Sequence, residues 1–242
     1  MDNKIWIGIV IVAILLVGGY LLYNSGPVVS AQGSSSIKVV PDQVSININV
    51  ETRNSTAQAA QDQNKIISEK LVENLVKLGF SKDELKFVNY YVSQDYDWNN
   101  GNQKIKGYIV SQQLVIKTGN VTRVPSIVDV VINSGALISY INFEVSDAKQ
   151  TEYKNQALEQ ASKDAKTKAQ SIAAGQGKRL GRLVSLTNQD YYYPGPLNYY
   201  SRASGVSVDE ANSGAIKAAT NLAPNEQEIT ASISAQYKIG LI

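Results

Sequence analysis

Residues Ile5–Tyr23 (IWIGIVIVAILLVGGYLLY) form one unbroken apolar run of 19 positions, whereas the rest of the chain mixes apolar and polar residues with short periods. About 19 helical residues at ~1.5 Å each span roughly 28 Å, close to the thickness of a bilayer's hydrocarbon layer. The run therefore predicts a single transmembrane helix at 1–23 that anchors the chain. Lys4 is the only cation before it and Lys38 the next one after it. That bias predicts a cytoplasmic N-terminus with the remaining chain outside. A rival reading is a cleaved signal, since Val29-Ser30-Ala31 precedes Gln32 with small residues at the right positions. The length of the apolar run, and the polar stretch from Asn24 that separates it from Ala31, favour the uncleaved anchor. Either reading puts the domain outside the cytoplasm, with a Ser/Gly-rich linker over 24–36.

Beyond the linker, about 205 residues remain, enough for one large domain or two small lobes. In Ile37–Val50, Val44, Ile46, Ile48 and Val50 alternate with polar residues as in a half-buried strand, interrupted at Pro41-Asp42. Asn54-Ser55-Thr56 supplies capping side chains for a helix carrying Ala60, Ile67, Leu71, Leu75 and Leu78, which Gly79 stops. Strands follow over 85–96 and 105–118, joined across the hairpin signal Asn100-Gly101. A short helix runs from Thr122 to Asn133 with Pro125 in its first turn, then comes a strand over 137–145. Ser146-Asp147 caps a long helix to Gly175, and strands over 178–188 and 227–239 close the domain. This order predicts an α+β fold: mixed, mostly antiparallel sheets packed with two long helices and one short helix, preceded by the transmembrane helix.

The last long helix repeats alanine at positions 157, 161, 165, 169 and 173. A row of small side chains predicts close approach of another backbone, from a sheet or a neighbouring chain.

Composition narrows the chemistry. There is no histidine and no cysteine, which removes the residues on which most zinc sites and Ser-His-Asp triads depend, and any disulfide. Lys and Arg total 23 against 21 Asp and Glu, so no net field draws nucleic acid. Asp95-Tyr96-Asp97-Trp98-Asn99-Asn100-Gly101 resembles the start of a calcium loop. Its glycine comes one residue late, however, and Lys106 stands where a bidentate glutamate belongs. Ser146-x-x-Lys149 and Lys117-Thr118-Gly119 match motifs of penicillin-recognising enzymes, but in the wrong order and without the third motif. Catalytic, cofactor-binding and metal-binding residues are therefore expected to be absent.

Fourteen tyrosines stand against three phenylalanines. Five of them, Tyr191, Tyr192, Tyr193, Tyr199 and Tyr200, open a stretch at 190–224 with little periodicity, which predicts a long loop. With Trp98 at the tip of the 91–98 hairpin, they are the candidate contacts for a partner protein or an envelope glycan.

Several stretches, in order, resemble the SIMPL-domain family of periplasmic immunogenic and oxidative-stress-defence proteins. They are Ile37–Asp42 leading to Val50, Leu78-Gly79 with the acidic turn and Tyr-rich strand after it, Leu158–Ser185, and Pro224–Tyr237. The chain departs from the family in having Ser34-Ser35-Ser36 ahead of the opening strand and a polar stretch over 195–223. The resemblance implies an extracytoplasmic α+β module that assembles into homo-oligomers, rings among them, with no transferable catalytic residue. The expected function is a membrane-tethered, non-enzymatic oligomeric scaffold linked to envelope maintenance or stress tolerance. The alternative is a binding module that uses the Tyr-rich loop and the 91–98 hairpin.

Overall fold

The computed structural model describes residues 11–18, 26–99, 102–203, 205–220 and 222–241. In chain order its elements are α1 (residues 11–18), β1 (Val28–Val39), β2 (Gln43–Asn54), α2 (Ala57–Lys77), β3 (Lys86–Asn99), β4 (Asn102–Thr118), α3 (Val124–Asn133), β5 (Leu137–Glu144), α4 (Asp147–Gly175), β6 (Lys178–Tyr192), β7 (Leu197–Ser201), α5 (Val208–Thr220) and β8 (Gln227–Leu241). They divide into two compact units. Residues 39–147 and 195–227 form one, and β1, α4, β6 and β8 form the other.

The first unit is built on the alternation noted in the sequence. Val44, Ile46, Ile48 and Val50 place β2 in the middle of a five-stranded sheet of order β3-β4-β2-β5-β7, antiparallel at every junction. Their side chains meet Leu71 and Leu75 of α2, and Ile127, Val128 and Val131 of α3, in one buried core. Each such side chain removed from water contributes roughly 1.5–3 kcal/mol. Helix α2 begins where Thr56 accepts a hydrogen bond from the Ala59 amide at 3.2 Å. It ends at Gly79, whose φ of +98° lets the Phe80 amide reach back to the Leu75 carbonyl at 3.1 Å. Buried Asn64 donates to the Val50 carbonyl at 2.8 Å and fixes the helix on β2. Asp42, just after β1, accepts hydrogen bonds from the Ser146 amide at 2.8 Å and the Ser146 hydroxyl at 2.9 Å. That clasp joins the point where the chain enters this unit to the point where it leaves.

The second unit is a three-stranded sheet of order β1-β8-β6 with α4 against it. Strand β8 is antiparallel to β6. It is also antiparallel to β1, because the contacts Pro27–Ile239, Gln32–Ser232 and Ser36–Glu228 run in opposite directions along the two strands. All five alanines of the α4 row are at most 1% exposed, and Ala165 and Ala169 pack with Val29, Ala31, Ala235 and Tyr237. Gly33 of β1 lies so near the helix that a Cβ there would overlap the Ala161 carbonyl oxygen and the Ala165 amide nitrogen.

Several expectations need correction. No helix among the described residues is long and apolar enough to cross a membrane, so the transmembrane helix expected over Ile5–Tyr23 is not supported. Only residues 11–18 of that run are described, as α1, and the rest of the run lies outside the described residues. Eight residues rise only about 12 Å. The linker expected over 24–36 is strand from Val28 onward, and Gly33 fits the tight space under α4 where a larger residue would not. Val29 and Ala31 of the supposed cleavage motif are buried within that strand. Pro41-Asp42 separates two strands in different sheets and does not interrupt one strand.

The Tyr-rich loop over 190–224 is largely structured. Strand β6 continues to Tyr192, and β7 and α5 follow. Helix α5 buries only Ala211, Ala215 and Ala219, so its inner face carried no large apolar residue to betray its period. It adds a fourth helix to the three expected after residue 37, and it packs on α3 and β5.

The contact at Gly33 predicts that Gly33→Val costs about 1–3 kcal/mol, at roughly 2–4 °C of Tm for each kcal/mol in a chain of this size. Calorimetry that finds an unchanged Tm would remove the close approach of β1 to α4.

Candidate functional site

The candidate aromatic residues do not form one site. Tyr199 and Tyr200 lie on β7 in the five-stranded unit. The Tyr199 ring stands edge-on to Phe143, with centroids 5.4 Å apart, as part of the core. Tyr200 donates its hydroxyl to the Ala211 carbonyl at 2.8 Å and lies across Gly214, and burial pushes its phenol upward from the usual range. Tyr200 thereby holds α5 in place. Trp98 sits on β3 opposite Gln103, and its side chain lies outside the described residues, as does the Asn100-Gly101 turn.

The other three tyrosines belong to the three-stranded unit. Tyr191 pairs with Ala231 on the face toward α4, where the Lys154 ammonium stands 5.3 Å from its ring centre. Burial raises its phenol, and the neighbouring Tyr193 adds to that shift. Tyr193 is half-buried. Tyr192 pairs with Thr230 and turns to the opposite face, where it is 60% exposed.

The face on which Tyr192 stands is polar from edge to edge. Asp190 pairs with Ser232, and Gln32 of β1 donates to the Ser232 hydroxyl at 2.9 Å. Ser36 is hydrogen-bonded to Glu228. Ser34, Ser36, Asp190, Thr230 and Ser232 line a cleft of about 500 Å³. Hydroxyls, a carboxylate and an amide beside an exposed phenol ring form a set that can hold a polyol: the ring covers a sugar's apolar face and the polar groups meet its hydroxyls. Only the aromatic half of this cleft was visible to sequence reasoning. Its polar half is the outward parity of β1 and β8, and β1 had been read as linker.

The enzyme-like motifs resolve into structural roles. Asp95 accepts from the Arg53 guanidinium at 3.2 Å, and strands flank it where a calcium loop would have helices. The Ser146 hydroxyl is spent on Asp42, and Lys117 pairs with Glu144 at 2.6 Å. No group of three or more Asp and Glu side chains suited to a metal ion exists among the described residues.

Exposed apolar side chains also stand at the sheet edges. Strand β6 borders its sheet and leaves Leu183, Val184 and Leu186 at 45–50% exposure. Strand β3 borders the other sheet, with Phe87, Val88, Tyr90 and Tyr91 at 43–58%. Pairing of β2 with β4 stops at Asn54–Tyr108, so beyond it β3 and β4 continue as a two-stranded ribbon. Long edge strands with exposed apolar side chains are templates for pairing with another chain unless something covers them.

Two antiparallel-rich sheets and alanine-lined helices define an α+β protein. This chain belongs to the SIMPL family, described as "Protein of unknown function (DUF541)", which it matches over residues 29–237. It is 24% identical over 184 residues to "Uncharacterized protein YggE" of Escherichia coli K12, covering 76% of this chain and 74% of that protein. To the protein of the same description from Edwardsiella ictaluri it is 26% identical over 166 residues, covering 66% of this chain and 67% of the other. It is also 26% identical over 168 residues to the "26 kDa periplasmic immunogenic protein" of Brucella melitensis, covering 66% of this chain and 65% of that protein.

The roles of the tyrosines separate under mutation. Tyr200→Phe should cost about 0.5–1.5 kcal/mol through the lost bond to Ala211, while Tyr192→Ala should stay within about 0.5 kcal/mol of the parent. Urea unfolding curves of the two variants distinguish them, and equal losses would refute the assignment.

Proposed function

We propose that this chain is an extracytoplasmic, non-enzymatic scaffold that assembles with copies of itself, in the service of envelope maintenance or stress tolerance. The observation that carries this reading is the pair of apolar sheet edges: β6 with Leu183, Val184 and Leu186, and β3 with Phe87, Val88, Tyr90 and Tyr91. Pairing such edges between subunits satisfies their backbone groups and removes the apolar side chains from water in one step. The placement outside the cytoplasm is supported by the Brucella relative, whose description is periplasmic. The non-enzymatic reading is supported by the structural engagement of Ser146, Lys117 and Asp95.

Light scattering on the full chain across a dilution series tests the assembly. A discrete multimer that survives dilution is expected, and Leu186→Lys should reduce its mass by setting a charge on the β6 edge. A monomer at every concentration sinks the proposal.

A second reading is favoured by one observation, the exposed Tyr192 ring beside the polar cleft that Asp190, Ser34 and Thr230 line. There the chain binds an envelope glycan. A peptidoglycan-derived disaccharide, titrated calorimetrically, should bind saturably and weaken by about fivefold or more in Tyr192→Ala, given the worth of an aromatic platform. Equal affinity for parent and variant rules out this cleft.

A further inference from the structure

The five-stranded sheet is wider than the helix laid across it. Helix α2 lies over β2 and β4. Phe87, Tyr90 and Val92 of β3 stand opposite Leu114, Gln112 and Val110 of β4, so they share the face that α2 packs against. Leu114 and Val110 are fully buried there, yet Phe87, Tyr90 and Val92 remain 38–52% exposed. Between this uncovered strip and the flank of α2 runs a groove of about 740 Å³, within the size range of small-molecule sites.

The groove has a definite chemistry. Val72 and Val76 of α2 face Phe87 and Tyr90 across it. Two polar groups in its floor are already engaged, the Ser68 hydroxyl with Gln112 at 2.7 Å and the Asn64 amide with the Val50 carbonyl at 2.8 Å. They ask nothing of a ligand, so the middle of the groove suits hydrocarbon. Charges stand at the rim. Lys77 is paired with Glu73 at 2.8 Å and Lys65 with Glu69 at 3.9 Å, whereas Lys82 makes no ion pair among the described residues. Three lysines against two glutamates leave one positive charge over, at the Lys82 end.

We propose that this groove binds a single-chain anionic amphiphile, a long-chain carboxylate or its chemical equivalent. The alkyl chain lies along Val72, Val76, Phe87 and Tyr90, and the head group meets Lys82. The apolar middle and the one positive charge left over at the Lys82 end match an alkyl chain with a single anionic head group, and a second copy of the chain is an outcome of the test. The groove belongs to the five-stranded unit and shares Phe87 and Tyr90 with the β3 edge, so the assembly through β6 is the one that can be removed without touching it.

Laurate, kept below its micelle-forming concentration, is the probe, titrated into the full chain by calorimetry. One molecule per chain is expected, with affinity falling by up to about fourfold for each methylene removed in shorter carboxylates. Lys82→Glu should weaken laurate by about fivefold and leave dodecanol unchanged. Val76→Trp, which fills the groove, should abolish binding of both, with circular dichroism and the melting curve showing that each variant is folded. Absence of saturable binding overturns the proposal, and so does laurate binding that Val76→Trp leaves intact. If Val76→Trp instead lowers the mass in light scattering while the parent binds no laurate, a second copy occupies the groove and the proposal falls. Loss of assembly in Leu186→Lys with laurate binding preserved would separate the two functions.

Discussion

The clasp between Asp42 and Ser146 is the constraint from which the rest of the chain path follows. Asp42 ends the passage out of β1, and Ser146 immediately precedes α4. With both oxygens of one carboxylate engaged at 2.8 and 2.9 Å, the excursion through β2, α2, β3, β4, α3 and β5 is closed at its base. Hydrogen bonds to an ionised acceptor are stronger than neutral ones. They also bring the end of β1 and the start of α4, two elements of the three-stranded unit, to a common origin. Pro41 before the aspartate prevents β1 from running on into β2 as a single strand.

Packing in the two units follows different rules. The five-stranded unit has a conventional core of Val, Ile, Leu and Phe from sheet and helices. The three-stranded unit is joined to its helix through alanine and glycine, so the two backbones come into near contact. Helix α5 repeats the device with three alanines against a core of larger residues. A small side chain contributes less burial than leucine, but it allows close dispersion contact and costs little side-chain entropy. One consequence is that large apolar residues such as Leu183, Leu186 and Ile172 are left outside the interface.

Exposed apolar side chains stand on the border strands β6 and β3. Where the sequence offered motifs of nucleophile, base and metal ligand, the folded chain uses the same side chains to close turns and pair strands. What stays open is a strand edge in each unit, a polar face with one exposed phenol ring, and a groove beside α2. These features agree with membership in a family described only as of unknown function, whose relatives share this chain's length more than its residues.

The sequence by itself determined every element whose inner face carries large apolar residues. The alternation of β2, the Leu71–Leu75 stripe of α2, the β3–β4 hairpin and the clean period of β8 all appear where reading predicted them, because burial of Val, Ile and Leu leaves a periodic trace. The alanine row of α4 was legible for the same reason, as a period in size. Tertiary structure alone decided the rest. β1 and α5 present serine, glycine and alanine to their neighbours, and such residues look like linker until a partner backbone is close enough to select them. The apolar run at the N-terminus was legible as composition, yet no described helix is both long and apolar enough to cross a bilayer. Tyr199 and Tyr200 were indistinguishable from Tyr192 in sequence. The pairing of β6 turned Tyr192 to solvent, whereas the irregularity that skips Tyr199 in the β5–β7 pairing lets the adjacent rings of Tyr199 and Tyr200 both pack on the core, against simple strand parity.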